Sequence, residues 1–142
     1  MLNHCVFMGR MVRDPELRYT QEQTPVASFT LAVDRDTRDK QTDFIKFVAW
    51  KRTAEFVNQY FSKGSLAVVD GKLQSRSWTD RDGNKRIEWE VVCNSIYFGE
   101  SKSQRDENDY AQAEREGKAE DSTPATNAVD VELGETDGQL PF

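Results

Sequence analysis

At every second position from 44 to 50 the chain carries Phe44, Lys46, Val48 and Trp50, and from 72 to 78 it carries Lys72, Gln74, Arg76 and Trp78. A spacing of two puts the members of each set on one face of a strand. Each set thus joins large flat rings to cations on a face that has no need of Trp if it only meets water. Aromatic rings are platforms on which bases stack, and interleaved Lys and Arg neutralise phosphates, so the pattern suits a strand of nucleic acid. The plainer reading is that Trp50 and Trp78 cover the ends of a barrel or fill a self-association interface. Repetition of the pattern on two segments favours the first. Trp89 differs: it shares parity with Ile87, Val91 and Cys93, which predicts a core position.

Other conspicuous residues suit duller roles. His4 is the sole histidine, and Cys5 and Cys93 stand 88 positions apart with no CxxC, so a zinc site would have to rest on carboxylates. There is no nucleophile motif, no Gly-rich phosphate loop and no metal-spaced set of carboxylates. The expectation is a protein that is not an enzyme, with no catalytic residues, no metal and no cofactor. Arg10, Arg13 and Arg18 flank Asp14-Pro15 and serve either as surface charge or as phosphate contacts. Arg35, Arg38 and Lys40 lie among Asp34, Asp36 and Asp39, either as a solvated loop or as one that reaches round a strand of nucleic acid.

Positioning two such faces takes strands. Leu2 to Met11 suits a first strand, punctuated by Asp14-Pro15. Val26 to Val33 alternates, with Ala27, Phe29, Leu31 and Val33 on one face. Asp34 to Thr42 reads as a loop and Asp43 to Trp50 as a third strand, its inner face Ile45, Phe47 and Ala49. Thr53 to Lys63 is helical in pattern, with Ala54, Val57 and Phe61 on one side and Gly64 as the stop. Leu66 to Trp78 is a long fourth strand in which Gly71 marks a bend or bulge. Asp82-Gly83 is a hairpin turn, and Arg86 to Phe98 is the fifth strand. Five strands with one short helix between the third and fourth predict an all-β OB-fold, a small partly open Greek-key barrel.

Charge divides the chain in two. Residues 1–100 hold 15 Lys and Arg against 14 Asp and Glu, whereas residues 101–142 hold 4 against 11. Only two of the 15 aromatic residues, Tyr110 and Phe142, lie in the second segment. A segment so acidic and so poor in large apolar groups cannot bury enough surface to offset its ordering entropy. The expectation is an OB-fold binding domain over 1–100 and a disordered acidic tail over 101–142, so the net charge of -6 says nothing against polyanion binding by the first segment. No apolar run approaches the ~18 residues of a membrane helix, and the amino terminus has no signal-peptide pattern. This predicts a cytoplasmic protein with no membrane partner.

With these stretches in place, the chain resembles the bacterial and phage single-stranded DNA-binding proteins of the homotetrameric OB-fold type. The resemblance is carried in order by Met8-Gly9-Arg10, Asp14-Pro15-Glu16-Leu17-Arg18-Tyr19, Phe29 to Val33, Asp43 to Trp50, Ala54-Glu55 with Tyr60 and Lys63-Gly64-Ser65, Asp70 to Asp80, Asp82-Gly83 and Glu90-Val91-Val92. The terminal Asp137-Gly138-Gln139-Leu140-Pro141-Phe142 is similar to the tip through which the family recruits other proteins. The resemblance implies sequence-independent binding and protection of single-stranded DNA in replication, recombination and repair, in a bacterial cell at replication forks. It implies stacking by Phe44, Trp50 and Trp78, and phosphate contacts by Lys46, Lys72 and Arg76, with Arg10, Arg18, Lys63 and Arg86 beside them. It further implies a homotetramer built through the first strand, Asn3 to Phe7, and recruitment of replication, recombination and repair proteins by Asp137, Leu140, Pro141 and Phe142. The chain departs from the family at Thr37, where an aromatic is common, and in the tip, where Asp137 stands alone with Glu135 just before it. An OB-fold accessory subunit that binds partners and touches DNA weakly, and an RNA-binding OB module, are the other readings; the aromatic–cation faces and the Pro-Phe terminus favour the first.

Overall fold

The alternating segments become six strands and a helix in the computed structural model, which describes residues 1–107 and 110–111. They are β1 (Cys5–Met11), β2 (Glu16–Tyr19), β3 (Pro25–Asp34), β4 (Thr42–Trp50), α1 (Arg52–Tyr60), β5 (Leu66–Thr79) and β6 (Lys85–Phe98). β1 pairs with β5, β5 with β6, β6 with β4 and β4 with β3. Arg10↔Ala32 and Met11↔Leu31 then join β1 to β3 and close the barrel. Every pairing is antiparallel except β4 with β6, which is parallel at Phe47↔Val91 and Val48↔Val92. This is the OB-fold arrangement, with the helix between the third and fourth strands of the barrel proper.

β2 is the strand that the sequence reading passed over. Its four residues pair with β3 from Glu16↔Ser28 to Tyr19↔Pro25, and only Leu17 is partly buried. Four residues with one inward side chain are too few to register as an alternation. The helix is also shorter than its pattern suggests. Phe61 already has extended backbone, yet its ring is buried in the core, so apolar spacing runs on after the helical backbone has stopped.

The barrel is filled by the inward members of the alternations: Phe29 and Leu31 of β3, Phe47 and Ala49 of β4, Val69 of β5 and Val91 of β6. Phe47 stacks on Phe29 with centroids 5.2 Å apart and meets Phe7 edge-on at 5.8 Å. Ala54, Val57 and Phe61 join the same core from the helix side. Fully burying a side chain such as Phe47 contributes roughly 1.5–3 kcal/mol.

Past a bulge between Asp70 and Gly71 the character of β5 changes, and every residue from Lys72 to Thr79 is exposed. A Cβ at position 71 would lie 2.3 Å from the carbonyl oxygen of Val92, so only glycine allows the strands to approach this closely there. Beyond it β5 and β6 run on as a two-stranded arm. Trp89 belongs to this arm and is 60% exposed, which corrects the expectation of a core position. Its parity with Val91 and Cys93 holds, but the arm has outrun the barrel and Leu73, Ile87 and Trp89 are all left exposed among the described residues.

The chain continues from β6 as helix over 102–107, residues that composition had assigned to the tail. Arg105 places its guanidinium 4.0 Å from the centre of the Phe98 ring, which ties this turn to the barrel. Most of the expected tail, with Asp137, Leu140, Pro141 and Phe142 of the tip, lies outside the described residues.

Candidate nucleic-acid interface

Pairing of β3 with β4 sets Trp50 beside Val26, Val48 beside Ser28, Lys46 beside Thr30 and Phe44 beside Ala32. Since Ala27, Phe29 and Leu31 point into the barrel, these partners form its outer wall. The arm supplies a second wall. There Lys72, Gln74, Arg76 and Trp78 pair with Val92, Glu90, Glu88 and Arg86. β2 and the turn before it add Arg13, Glu16, Arg18 and Tyr19. Between them lies an open groove of about 610 Å³.

Trp50 and Lys46 line this groove from the barrel wall, Arg76 and Gln74 from the arm, and Arg18 from β2. Phe44 and Trp78 do not line it; they stand on the same faces farther along, Phe44 beyond Lys46 and Trp78 beside the hairpin turn. The three residues are 66%, 45% and 48% exposed for Phe44, Trp50 and Trp78, which leaves much of each open to solvent. Lys72 is exposed at the root of the arm, next to Gly71.

The remaining cations are spread more widely. Arg18 lines the groove and donates to Ser28 Oγ at 3.3 Å. Arg86 donates from Nε to Asp80 Oδ2 at 3.0 Å, in the hairpin. Arg10 lies elsewhere, donating to the Gly64 carbonyl at 2.9 Å and pairing with Glu100 at 3.3 Å in a separate hollow. Lys63 follows the helix and is not among the groove's lining residues; its backbone N–H donates to Asp14 Oδ1 at 2.8 Å.

Carboxylates fix several of these groups. Glu88 accepts from Lys46 Nζ on one oxygen and from Arg76 Nη2 on the other, the latter at 3.1 Å. These bonds, that of Lys46 foremost, hold its carboxyl below the usual range. Asp80 is held low by the backbone N–H of Asn84 and by Arg86. At the base of the 35–41 loop, Arg35 grips Asp43 through two bonds of 2.8 Å, which lowers the Asp43 carboxyl. Arg35 thereby braces the base of its own loop. Burial pushes the Cys93 thiol up to about 12, so it is no nucleophile near neutral pH. Among the described residues no group of three or more His, Cys, Asp or Glu could hold a metal ion.

Sequence reasoning missed two features. Tyr19 is exposed and lines the groove, a further ring beside Trp50. Its position was within reach, since it follows Arg18 directly, but β2 had no recognised strand parity to orient it. The other is the set of carboxylates, Glu16, Glu88 and Glu90, interleaved with the cations. Only pairing across β5 and β6 brings Glu88 opposite Arg76.

The arrangement can hold a flexible polyanion with flat, unpaired side groups: rings for the bases and cations at neighbouring positions for the backbone. A family model described as "Single-strand binding protein family" matches residues 2–99. A "Single-stranded DNA-binding protein" of Staphylococcus aureus (strain MRSA252) is 48% identical over 110 residues, covering 75% of this chain and 70% of that protein. A "Single-stranded DNA-binding protein 1" of Staphylococcus aureus (strain COL) is 44% identical over 120 residues, 78% of this chain and 72% of that one. A "Single-stranded DNA-binding protein" of Halalkalibacterium halodurans is 47% identical over 102 residues, 69% of this chain and 61% of that one.

Proposed function

The chain belongs to the single-strand binding protein family, a family of non-enzymatic DNA-binding proteins, and from that premise we propose that it binds single-stranded DNA without regard to sequence. The observation that carries this reading is the exposed aromatic–cation face repeated on β4 and on the β5–β6 arm. Stacking is indifferent to base identity because every base has a π face, and phosphate contacts carry no sequence information. Duplex DNA is a poor ligand for such a surface because paired bases cannot reach the rings. Phe44, Trp50 and Trp78 are the stacking residues. Lys46, Lys72 and Arg76 meet phosphates, with Arg18 and Arg86 near them and Arg10 and Lys63 as outlying contacts for a strand that wraps farther.

In the cell this activity coats and protects unwound strands during replication, recombination and repair, in the bacterial cytoplasm at replication forks. The described residues contain no helix long and apolar enough to cross a membrane. Self-association is supported by β1, whose residues before Arg10 pair, among the described residues, with β5 alone. Val6, Met8 and Tyr97 are exposed on the adjoining sheet face, an apolar surface that suits a second copy of the chain. Resemblance to the homotetrameric members of the family points to a homotetramer, with Asn3 to Phe7 at the contact. The tip Asp137, Leu140, Pro141 and Phe142 recruits replication, recombination and repair proteins, with the Phe142 ring as its apolar anchor.

Competition decides the ligand. A labelled oligo-dT bound to the full chain should be displaced by unlabelled single strands of any composition and far less by duplex of equal length. Equal displacement by duplex would end the reading.

A further inference from the structure

Lys46 and Arg76 face the groove from opposite walls, one on the barrel and one on the arm, and both end on the same carboxylate. Glu88 offers one oxygen to each, with its side chain 27% exposed between them. A phosphodiester presents the same thing to a pair of cations: two equivalent anionic oxygens on one centre. The charges that line the groove are close to balanced, with Arg13, Arg18, Lys46 and Arg76 against Glu16, Glu88 and Glu90. A groove so nearly neutral attracts a polyanion weakly as long as the carboxylates stay on their cations.

We propose that Glu88 is an internal competitor for DNA phosphate: its carboxylate holds the position on Lys46 and Arg76 that a backbone phosphate takes when a single strand binds. This deepens the reading of the groove as a single-strand site and rests on it. Three consequences follow. Binding requires that the two pairs on Glu88 be exchanged, which costs little because both cations are mostly exposed to solvent. The freed Glu88 takes up a cation from solution as the phosphate gives one up, so net counterion release is smaller and salt dependence is shallow. Affinity then leans on the rings, and anions without bases, including duplex backbones, gain little from the groove. Glu88 thus acts on selectivity as well as on strength.

Glu88→Gln removes the charge and keeps the size. In the full-length chain it should tighten poly-dT binding by about 2- to 30-fold at a fixed salt concentration, since the two pairs on Glu88 no longer compete. The slope of log K against log salt should steepen by about 0.7, the counterion that Glu88 would otherwise take back. Adding the same change to a Lys46→Ala/Arg76→Ala chain should give no gain, because the competitor has lost its cations. Unfolding midpoints of all variants should stay near that of the parent, since Lys46 and Arg76 are exposed and Glu88→Gln keeps the size of a half-buried side chain. Equal or weaker binding by Glu88→Gln would show that the carboxylate positions the cations instead, and would overturn the proposal. A gain that survives without Lys46 and Arg76 would also overturn it, as a general field effect. If neither parent nor variant binds poly-dT, the single-strand reading itself fails and this inference falls with it.

Discussion

Trp50 and Trp78 stand on different walls, so their substitutions test the two faces separately. Base–aromatic stacking is worth about 1–3 kcal/mol per base by alanine substitution. Trp50→Ala and Trp78→Ala should therefore each weaken oligo-dT binding by about 5- to 150-fold, read by fluorescence anisotropy of a labelled strand. Trp89 lies on the opposite face of the arm, since it pairs with Ser75 and not with the Gln74 and Arg76 side. Trp89→Phe should leave affinity unchanged within a factor of two. It should also raise the fractional quenching on saturation, because it removes an emitter that DNA does not reach. Quenching that falls in Trp89→Phe would put the strand on the other face. Residue types alone made Trp50 and Trp78 legible as a pair. They misassigned Trp89, since parity tells which residues share a face and not whether anything covers that face.

At the scale of elements the account depends on the arm, which Gly71 starts and Asp80 ends. Gly71→Ala places a Cβ against the Val92 carbonyl, a backbone atom that cannot yield without opening β5 from β6. It should cost about 1–3 kcal/mol in thermal unfolding and displace the arm wall of the groove. Asp80 Oδ1 accepts from the backbone N–H of Asp82 at 3.0 Å and of Asn84 at 2.9 Å, while Gly83 turns the chain at φ +82°. Its carboxyl is depressed in the folded state, so its contribution is whole above the ordinary value of 3.8 and fades as pH falls through the lower folded value. Protection factors at Asp82 and Asn84, with the acid slowing of intrinsic exchange divided out, should accordingly fall on acidification before those of barrel amides such as Val91 do. The barrel strands and the helix were legible because each repeats its apolar period over several turns or pleats, and Asp82-Gly83 and Gly71 were legible from turn and bulge chemistry. β2 was not, being four residues with one inward side chain. Nor was the Glu88 bridge, which exists only through the pairing of β6 with β5 and the approach of β4.

For the whole molecule the governing fact is the separation of charge, with a near-neutral barrel followed by an acidic segment of 4 cations against 11 anions. The proposed tail, being anionic, would compete with DNA for the groove, so a chain without its last six residues should bind poly-dT as well as the parent or slightly better. That chain should no longer capture replication and repair proteins from a bacterial lysate; capture of the same set would take the docking role from the tip. Light scattering of the full chain should give four times the chain mass at micromolar concentration, and a monomer would remove the role assigned to β1 and revive the accessory-subunit alternative. The most direct test of the whole account is a titration of the full chain with poly-dT, followed by intrinsic Trp emission at two salt concentrations. The account predicts strong quenching that saturates, with affinity that falls as salt rises and yields little when poly-dT is replaced by another single-stranded homopolymer. Unchanged Trp emission, or equal response to duplex DNA, would contradict it.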